Sequence, residues 1–172
     1  MNIHTPLTSD VIKSLKAGDA ISLTGVIYTA RDAAHKRMHD AVINGEPSPF
    51  DYTGQAVFYA GPCPAPPGKP IGSVGPTTAG RMDAYAPMLI DAGLKIMIGK
   101  GARTPEVVAA IKRQGGLYLV AIGGAAALMA KCVQSAEMVA YDDLGTEAVR
   151  KLEVVDMPLV VAIDSTGVSI FE

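Results

Sequence analysis

The segment GDAISLTGVIYTARDAAHKRMHD, residues 18–40, predicts a strand that leads directly into a helix. Between residues 20 and 28, apolar side chains alternate with polar ones, as in a strand with one buried face. From residue 29 onward, apolar residues recur at helical spacing, and Asn44-Gly45 is a typical helix end. A strand followed at once by a helix is the repeating unit of α/β domains.

Outward from this unit, strand and helix continue to alternate through the middle of the chain, while the ends are richer in short strand-like runs. We therefore expect one domain over residues 1–172, an α/β fold with mixed sheets and flanking helices. The further predicted strands are 55–60, 94–98, 117–122, 138–141, 152–155, 159–163 and 168–171, and the further predicted helices are 77–91, interrupted at Pro87, 104–114 and 125–133.

Composition excludes several classes of function. The 172 residues carry 15 Lys and Arg against 17 Asp and Glu, a formal charge of −2, which argues against a nucleic-acid binder that works through bulk charge. Aromatic residues make up 5%, so a base-stacking surface is not expected. The N-terminus lacks a signal-peptide layout, and no apolar run reaches the ~20 residues of a membrane span. We expect a soluble, cytoplasmic domain with neither a nucleic-acid nor a membrane partner.

The two cysteines, Cys63 and Cys132, are too few to hold an iron–sulfur cluster or a structural zinc unaided. No metal ligand is therefore assigned to this chain. Cys63 lies in residues 46–76, a segment that contains eight of the twelve prolines and excludes a long helix. Long ordered loops are more often functional than idle. Neither Cys63 nor the isolated His35 is assigned a role.

Arg31 lies at the first strand-to-helix junction, residues 29–37. Such junctions point backbone N–H groups and the positive end of a helix toward an anion. Arginine adds a planar, two-pronged donor suited to a carboxylate. The alternative is a solvated basic first turn that Asp32 caps.

A second glycine-rich junction, residues 72–82, carries Thr77, Thr78 and Arg81. It lacks the Lys-Ser/Thr pair of a phosphate-binding loop but offers two hydroxyls and a cation at a helix start. The alternative is a helix cap with a surface arginine.

Two shorter junctions complete the set. Lys100 lies between two glycines at the end of a predicted strand, where it can reach a site at the sheet edge. Residues 123–127, Gly-Gly-Ala-Ala-Ala, permit close approach of a ligand or of another helix. The alternatives are a turn lysine and ordinary helix packing. Together, the cations and hydroxyls suit a small di-anion, but no general acid or electrophile is evident, so the chain predicts half of an active site.

These segments, in this order, resemble one family. Gly18 to Arg37, Tyr59-Ala-Gly-Pro62, Gly75 to Met82 and Gly99-Lys-Gly101 look like the β subunit of class I, iron–sulfur-dependent fumarate hydratase. The β subunit of tartrate dehydratase shares the pattern, as does the C-terminal domain of single-chain class I fumarases. The resemblance implies a swivelling β/β/α domain. It also implies a [4Fe-4S] cluster held by three cysteines of an α subunit, in a hetero-oligomer expected to be α2β2.

The resemblance also implies roles for single residues. Arg31, Arg81 and Lys100 match positions that bind the substrate's carboxylates. Thr77 matches the residue proposed as the base for the C3 proton, and Thr78 its substrate-binding neighbour. The implied reaction is the interconversion of fumarate and (S)-malate. The alternatives are tartrate or a related hydroxy-dicarboxylate as substrate and, in another class, a dicarboxylate-binding module without catalysis.

Overall fold

The computed structural model describes residues 1–121 and 126–171. Its strands and helices alternate as the central sequence predicts. The strands are β1 (Asn2–His4), β2 (Ala20–Thr29), β3 (Ala56–Phe58), β4 (Ile96–Gly99), β5 (Leu117–Ala121), β6 (Val133–Ala140) and β7 (Val149–Ile163). The α-helices are α1 (Ser9–Ser14), α2 (Asp32–Ile43), α3 (Ala86–Asp91), α4 (Pro105–Gln114) and α5 (Ala126–Lys131), and short 3₁₀ helices cover Ala79–Met82 and Asp142–Glu147.

Five strands close into a barrel-like sheet. Strands β2, β3, β4 and β5 pair side by side and are parallel. The long strand β7 then pairs antiparallel with both β5 and β2, which closes the ring. Strand β1 extends the sheet beside the first half of β2, and β6 lies antiparallel to the first half of β7. The predicted mixed α/β architecture with flanking helices is confirmed.

Strand residues alternate between two apolar cores. Phe58 and Ile98 belong to the core that the closed sheet encloses. Their neighbours Val57 and Met97 belong to a second core. That second core also contains buried residues of α2, α3 and α4, which therefore cover the outer face of the parallel strands. Burial on both faces explains why β3 to β5 are short, continuous apolar runs in the sequence.

The C-terminal third departs from the predicted elements. The separate strands predicted at 152–155 and 159–163 are wrong, because β7 continues through Pro158. Asp156, at φ 51°, and a register shift in the pairing with β2 let the strand bend there. The strand predicted at 138–141 is the end of the longer β6, and 168–171 forms only a single bridge, from Ser169 to Ile163.

Other element boundaries also differ. The single helix predicted over 77–91 is wrong: a 3₁₀ turn ends at Met82, and α3 begins at Ala86. Pro87 lies in the first turn of α3, where its missing N–H leaves no hydrogen bond unmade. β1 and α1 have no counterpart among the predicted elements. None of the helices in the described part of the chain combines the length and apolar character of a membrane span.

Candidate anion-binding site at the ends of the parallel strands

The carboxyl ends of β2, β3 and β4 meet at one edge of the sheet, because these strands are parallel neighbours. Arg31 follows β2 by two residues, and Lys100 directly follows β4. This edge is where α/β sheets usually bind ligands. The structure therefore brings two of the sequence-predicted site residues to the same side of the fold.

The loop that carries the two threonines is held against this edge by backbone hydrogen bonds. Thr77 donates its N–H to the carbonyl of Tyr59 at 2.6 Å. Thr78 forms a parallel bridge with Lys100, and Ala79 donates to the Lys100 carbonyl at 2.8 Å. Thr78 and Lys100, 22 residues apart in the sequence, are thus neighbours in space.

One carboxylate links the two arginines. Asp32 Oδ2 accepts hydrogen bonds from Arg81 Nε at 2.9 Å and lies 2.8 Å from Arg81 Nη2, while Asp32 Oδ1 lies 3.4 Å from Arg31 Nε. Glu147 Oε1 lies 3.7 Å from the same Arg31 Nε atom. Asp32 thus joins Arg31 to Arg81, with Glu147 beside them, and the short segment 77–81 connects this group to the Thr78–Lys100 bridge.

Asp32 does not cap α2, contrary to the alternative interpretation of this junction. Arg31 occupies the N-cap position without a side-chain cap, and Asp32 lies in the first turn. Glu147 instead accepts the N–H of Ala33 at 3.0 Å. An acidic group near the helix start is favourable. Sequence reasoning missed Glu147 because 114 residues separate it from Ala33.

The cluster is open to solvent. Thr78 and Lys100 are exposed, the Arg81 side chain is 52% exposed, and Thr77 is half-buried. Arg31 is more enclosed, since a Cβ on Gly61 would lie 2.9 Å from its Cδ. A separate cavity of about 380 Å³ lies between the proline-rich loop, including Cys63, and β6. The candidate site residues therefore form a partly open surface.

The buried pair Arg103 and Asp83 connects the segments that carry the candidate site residues. Arg103 donates from Nε to Asp83 at 2.7 Å and from Nη2 to the Tyr59 hydroxyl at 3.1 Å. Its guanidinium also lies over the rings of Tyr59 and Tyr118. Asp83 accepts the N–H of Thr104 at 2.7 Å as well. These contacts join the segments that carry Thr77, Arg81 and Lys100, and the sequence analysis missed them.

His35 is buried beneath Arg31. Its Nδ1 lies 3.2 Å from the Arg31 carbonyl, and its ring packs edge-on against Tyr59. Because the partner is a carbonyl, Nδ1 carries the proton of the neutral ring. Burial, chiefly, lowers the pKa of His35 to about 4. His35 is therefore a neutral structural donor that fixes the backbone at Arg31.

The residues present do not fit an iron–sulfur cluster. Cys63 is exposed and Cys132 half-buried, and no group of three His, Cys, Asp or Glu side chains in residues 1–121 and 126–171 could hold a metal ion. Of the fourth predicted junction, residues 123–125 lie outside the described part of the chain. Ala126 lies close to Gly75, whose added Cβ would be 3.1 Å from the alanine methyl.

Fold and site together define a mixed α/β domain that carries cations and hydroxyls at the carboxyl ends of parallel strands. The model of one family, described as Fumarase C-terminus, matches residues 1–172. The chain belongs to this family.

Curated relatives agree with this assignment. Fumarate hydratase class I, aerobic, of Escherichia coli strain K12 is 43% identical over 154 residues, which cover 88% of this chain and 28% of the relative. Fumarate hydratase 1, mitochondrial, of Leishmania major is 42% identical over 177 residues, 100% of this chain and 32% of the relative. The chain thus spans under a third of these relatives.

A third relative has nearly the same length as this chain. The putative L(+)-tartrate dehydratase subunit beta of Methanocaldococcus jannaschii is 39% identical over 176 residues, covering 96% of this chain and 88% of the relative. Both arrangements that the sequence resemblance named, a domain of a longer enzyme and a separate β subunit, therefore occur among the relatives.

Proposed function

We propose that this chain is the β subunit of a hydro-lyase that interconverts fumarate and (S)-malate. The observation that supports it most is the gathering of Arg31, Arg81 and Lys100 beside Thr77 and Thr78, in a chain of the Fumarase C-terminus family. Three cations and two hydroxyls at one edge of the sheet suit a ligand with two carboxylates.

The chemistry of this reaction gives the cations a catalytic purpose. Addition or removal of water next to a carboxylate passes through a carbanion-like dianion, in which negative charge builds up on that carboxylate. Arg31, Arg81 and Lys100 stabilise this charge more than the charge of the ground state, which lowers the barrier. Thr77 takes the C3 proton, because nearby cations favour its ionised form, and Thr78 binds the substrate beside it.

The rest of the site belongs to a partner in this proposal. The resemblance implies a [4Fe-4S] cluster, and the absence of a fitting ligand set among the described residues leads us to assign it to an α subunit. The α subunit also supplies the acid for the leaving hydroxyl. We propose an α2β2 hetero-oligomer in the cytoplasm, with the β chain inactive alone and built as a swivelling β/β/α domain.

The second candidate substrate is L(+)-tartrate or a related hydroxy-dicarboxylate. The relative from Methanocaldococcus jannaschii favours it, since the two chains align over 88% of that relative. The cations of this chain recognise carboxylates, which both substrates share. A dicarboxylate-binding module without catalysis is the alternative from another class.

The first experiment measures fumarate hydration by the loss of ultraviolet absorbance under anaerobic conditions. The β chain alone, the cluster-loaded α subunit alone and their mixture are compared. Activity only in the mixture supports the proposal. If the mixture binds but acts on tartrate instead of fumarate, the second substrate is favoured. If the two chains do not bind, the subunit proposal fails, and dicarboxylate affinity of the isolated chain would support the binding module.

In the active mixture, Arg31→Ala and Thr77→Ala should each lower kcat/KM by about 10² or more, because each removes one preorganised group. Both variants should fold and bind the α subunit like wild type. Arg113→Ala is the matched control, since it removes an exposed arginine paired with Asp91 on other helices. A near-normal kcat in either site variant would remove that residue from the site.

A further inference from the structure

One carboxylate contacts both predicted substrate arginines. Arg31 and Arg81 lie 50 residues apart and on different elements, yet each has its Nε against an oxygen of Asp32. The Arg81 contact is side-on, through Nε at 2.9 Å and Nη2 at 2.8 Å. Asp32 is therefore the group that fixes one arginine relative to the other.

The direction of these contacts matters for a ligand. A guanidinium can bind a carboxylate through its Nε–Nη2 edge or through the Nη1–Nη2 edge at its tip. Asp32 occupies the Nε side of both arginines. Within residues 1–121 and 126–171, no hydrogen bond or ion pair engages the Nη1 atom of either arginine, so the tip edges remain for a further carboxylate, such as that of a substrate.

A purely structural role is the competing explanation, because an acidic residue in the first turn stabilises a helix. Two observations weigh against it. The N–H of Ala33 at the start of α2 is already bound by Glu147, and Asp32 makes no side-chain cap. The Asp32 carboxylate instead accepts hydrogen bonds from Nε of Arg31 and Nε of Arg81. The Arg81 side chain is 52% exposed, and holding such a long side chain in place before a ligand arrives lowers the entropic cost of binding.

We infer that Asp32 is a positioning residue that orders Arg31 and Arg81, with their tips presented to the substrate's carboxylates. The inference rests on the proposed function in one respect, the dicarboxylate nature of the ligand. Asp32 touches neither the substrate nor the reacting atoms in this assignment.

The test compares Asp32→Asn, Asp32→Glu and wild type in the α–β mixture. The asparagine keeps the size of the side chain but loses the charge that holds two guanidinium groups. KM for fumarate should rise about tenfold and kcat should fall as well, because the arginines bind the carboxylates in the ground state and more strongly in the transition state. Asp32→Glu keeps the charge and should recover most of the wild-type KM.

A second readout uses the isolated β chain and needs no activity. The Nε–H resonances of Arg31 and Arg81 should move, and their hydrogen exchange should quicken, in Asp32→Asn. Asp32→Ser, which suits a helix start, replaces it if the asparagine variant does not fold. Asp91→Asn is the matched control: it breaks the side-on Arg113–Asp91 pair elsewhere and should leave both KM and the two site resonances unchanged.

The outcomes separate the inference from the proposed function. If the wild-type mixture has no hydro-lyase activity, the proposed function fails, while the arginine resonances still decide the role of Asp32. Resonances of Arg31 and Arg81 that do not move in the Asp32 variants overturn the inference. A KM that stays at the wild-type value while the melting temperature falls overturns it as well, because a helix-start role alone explains that pattern.

Discussion

Two arginine–aspartate pairs lie close together in this fold and differ in burial. Arg103 and Asp83 meet at 2.7 Å with side chains 0% and 5% exposed. Arg81 and Asp32 meet at 2.8 Å with side chains 52% and 32% exposed. The contact distances are nearly equal, so the environment rather than the pairing separates the two.

The difference in burial indicates different roles for the two arginines. The buried guanidinium of Arg103 donates its hydrogen bonds within the fold, to Asp83 and Tyr59. The rings of Tyr59 and Tyr118 cover it. A half-exposed guanidinium such as that of Arg81 keeps an edge for a ligand. The buried pair therefore stabilises the segments that carry the candidate site, whereas the exposed pair orients groups that, in the proposed function, bind a substrate.

The largest expected effect comes from breaking the buried pair. Arg103→Met leaves the Asp83 carboxylate buried without its charged partner, which should lower the free energy of unfolding by about 3–5 kcal/mol. Urea denaturation of the isolated chain measures this. The matched control, Arg113→Met, breaks the exposed pair with Asp91 and should cost about 1 kcal/mol or less. Equal losses in both variants would refute the contrast between buried and exposed pairs.

Sequence reasoning identified the exposed group because its signals are local. Arg31, Arg81 and Lys100 each stand at a glycine-rich or small-residue junction, and parallel strands bring such junctions to one edge. It missed Arg103 and Asp83, because a buried charged residue and a surface one look alike in a single sequence. Their burial depends on Tyr59 and Tyr118, which other strands supply.

A single sequence does not show contacts between distant residues, and this also explains the errors in the predicted strands. The parallel strands β3 to β5 were predictable, because burial on both faces produces continuous apolar runs. The length of β7 was not, since Pro158 and Asp156 interrupt its pattern, and pairing with β2 on one side and with β5 and β6 on the other holds the strand together. The role of Glu147 was not predicted for a related reason, because its partner Ala33 is distant in the sequence.

The second prediction concerns His35, which links the buried layer to Arg31. Its pKa is about 4 in the folded chain against 6.5 for the free side chain, chiefly because of burial. Between pH 4 and pH 6.5, His35 of the unfolded chain binds a proton that His35 of the folded chain does not. The contribution of His35 to the free energy of unfolding is therefore intact above pH 6.5. It is lost as the pH falls toward 4, by about 3 kcal/mol in total.

Urea denaturation from pH 8 to pH 4 tests this by comparing slopes. Carboxylates also titrate in this range, so the quantity of interest is the difference between wild type and His35→Gln. The variant should lose less stability on acidification than wild type does. Parallel curves for wild type and His35→Gln would show that His35 is not buried as a neutral ring.

The smallest expected effect comes from Gly61, where the backbone after β3 passes under Arg31. A Cβ at this position would lie 2.9 Å from Arg31 Cδ and 3.1 Å from the carbonyl oxygen of Thr146. The carbonyl belongs to the backbone and yields little, so the arginine side chain must shift. Gly61→Ala should cost about 1–2 kcal/mol of stability. In the α–β mixture it should also raise KM severalfold through the displaced arginine.

Gly80→Ala provides the control, because no atom beyond its own 3₁₀ turn lies within 4 Å of the added methyl group, and the glycine lies in the turn Ala79–Met82 that carries the other site arginine. That variant should keep both stability and KM close to wild type. If Gly61→Ala lowers stability without changing KM, the position of the Arg31 side chain does not matter for binding. The exposed arginines would then be no different in function from the buried one, because both would serve only to hold the fold.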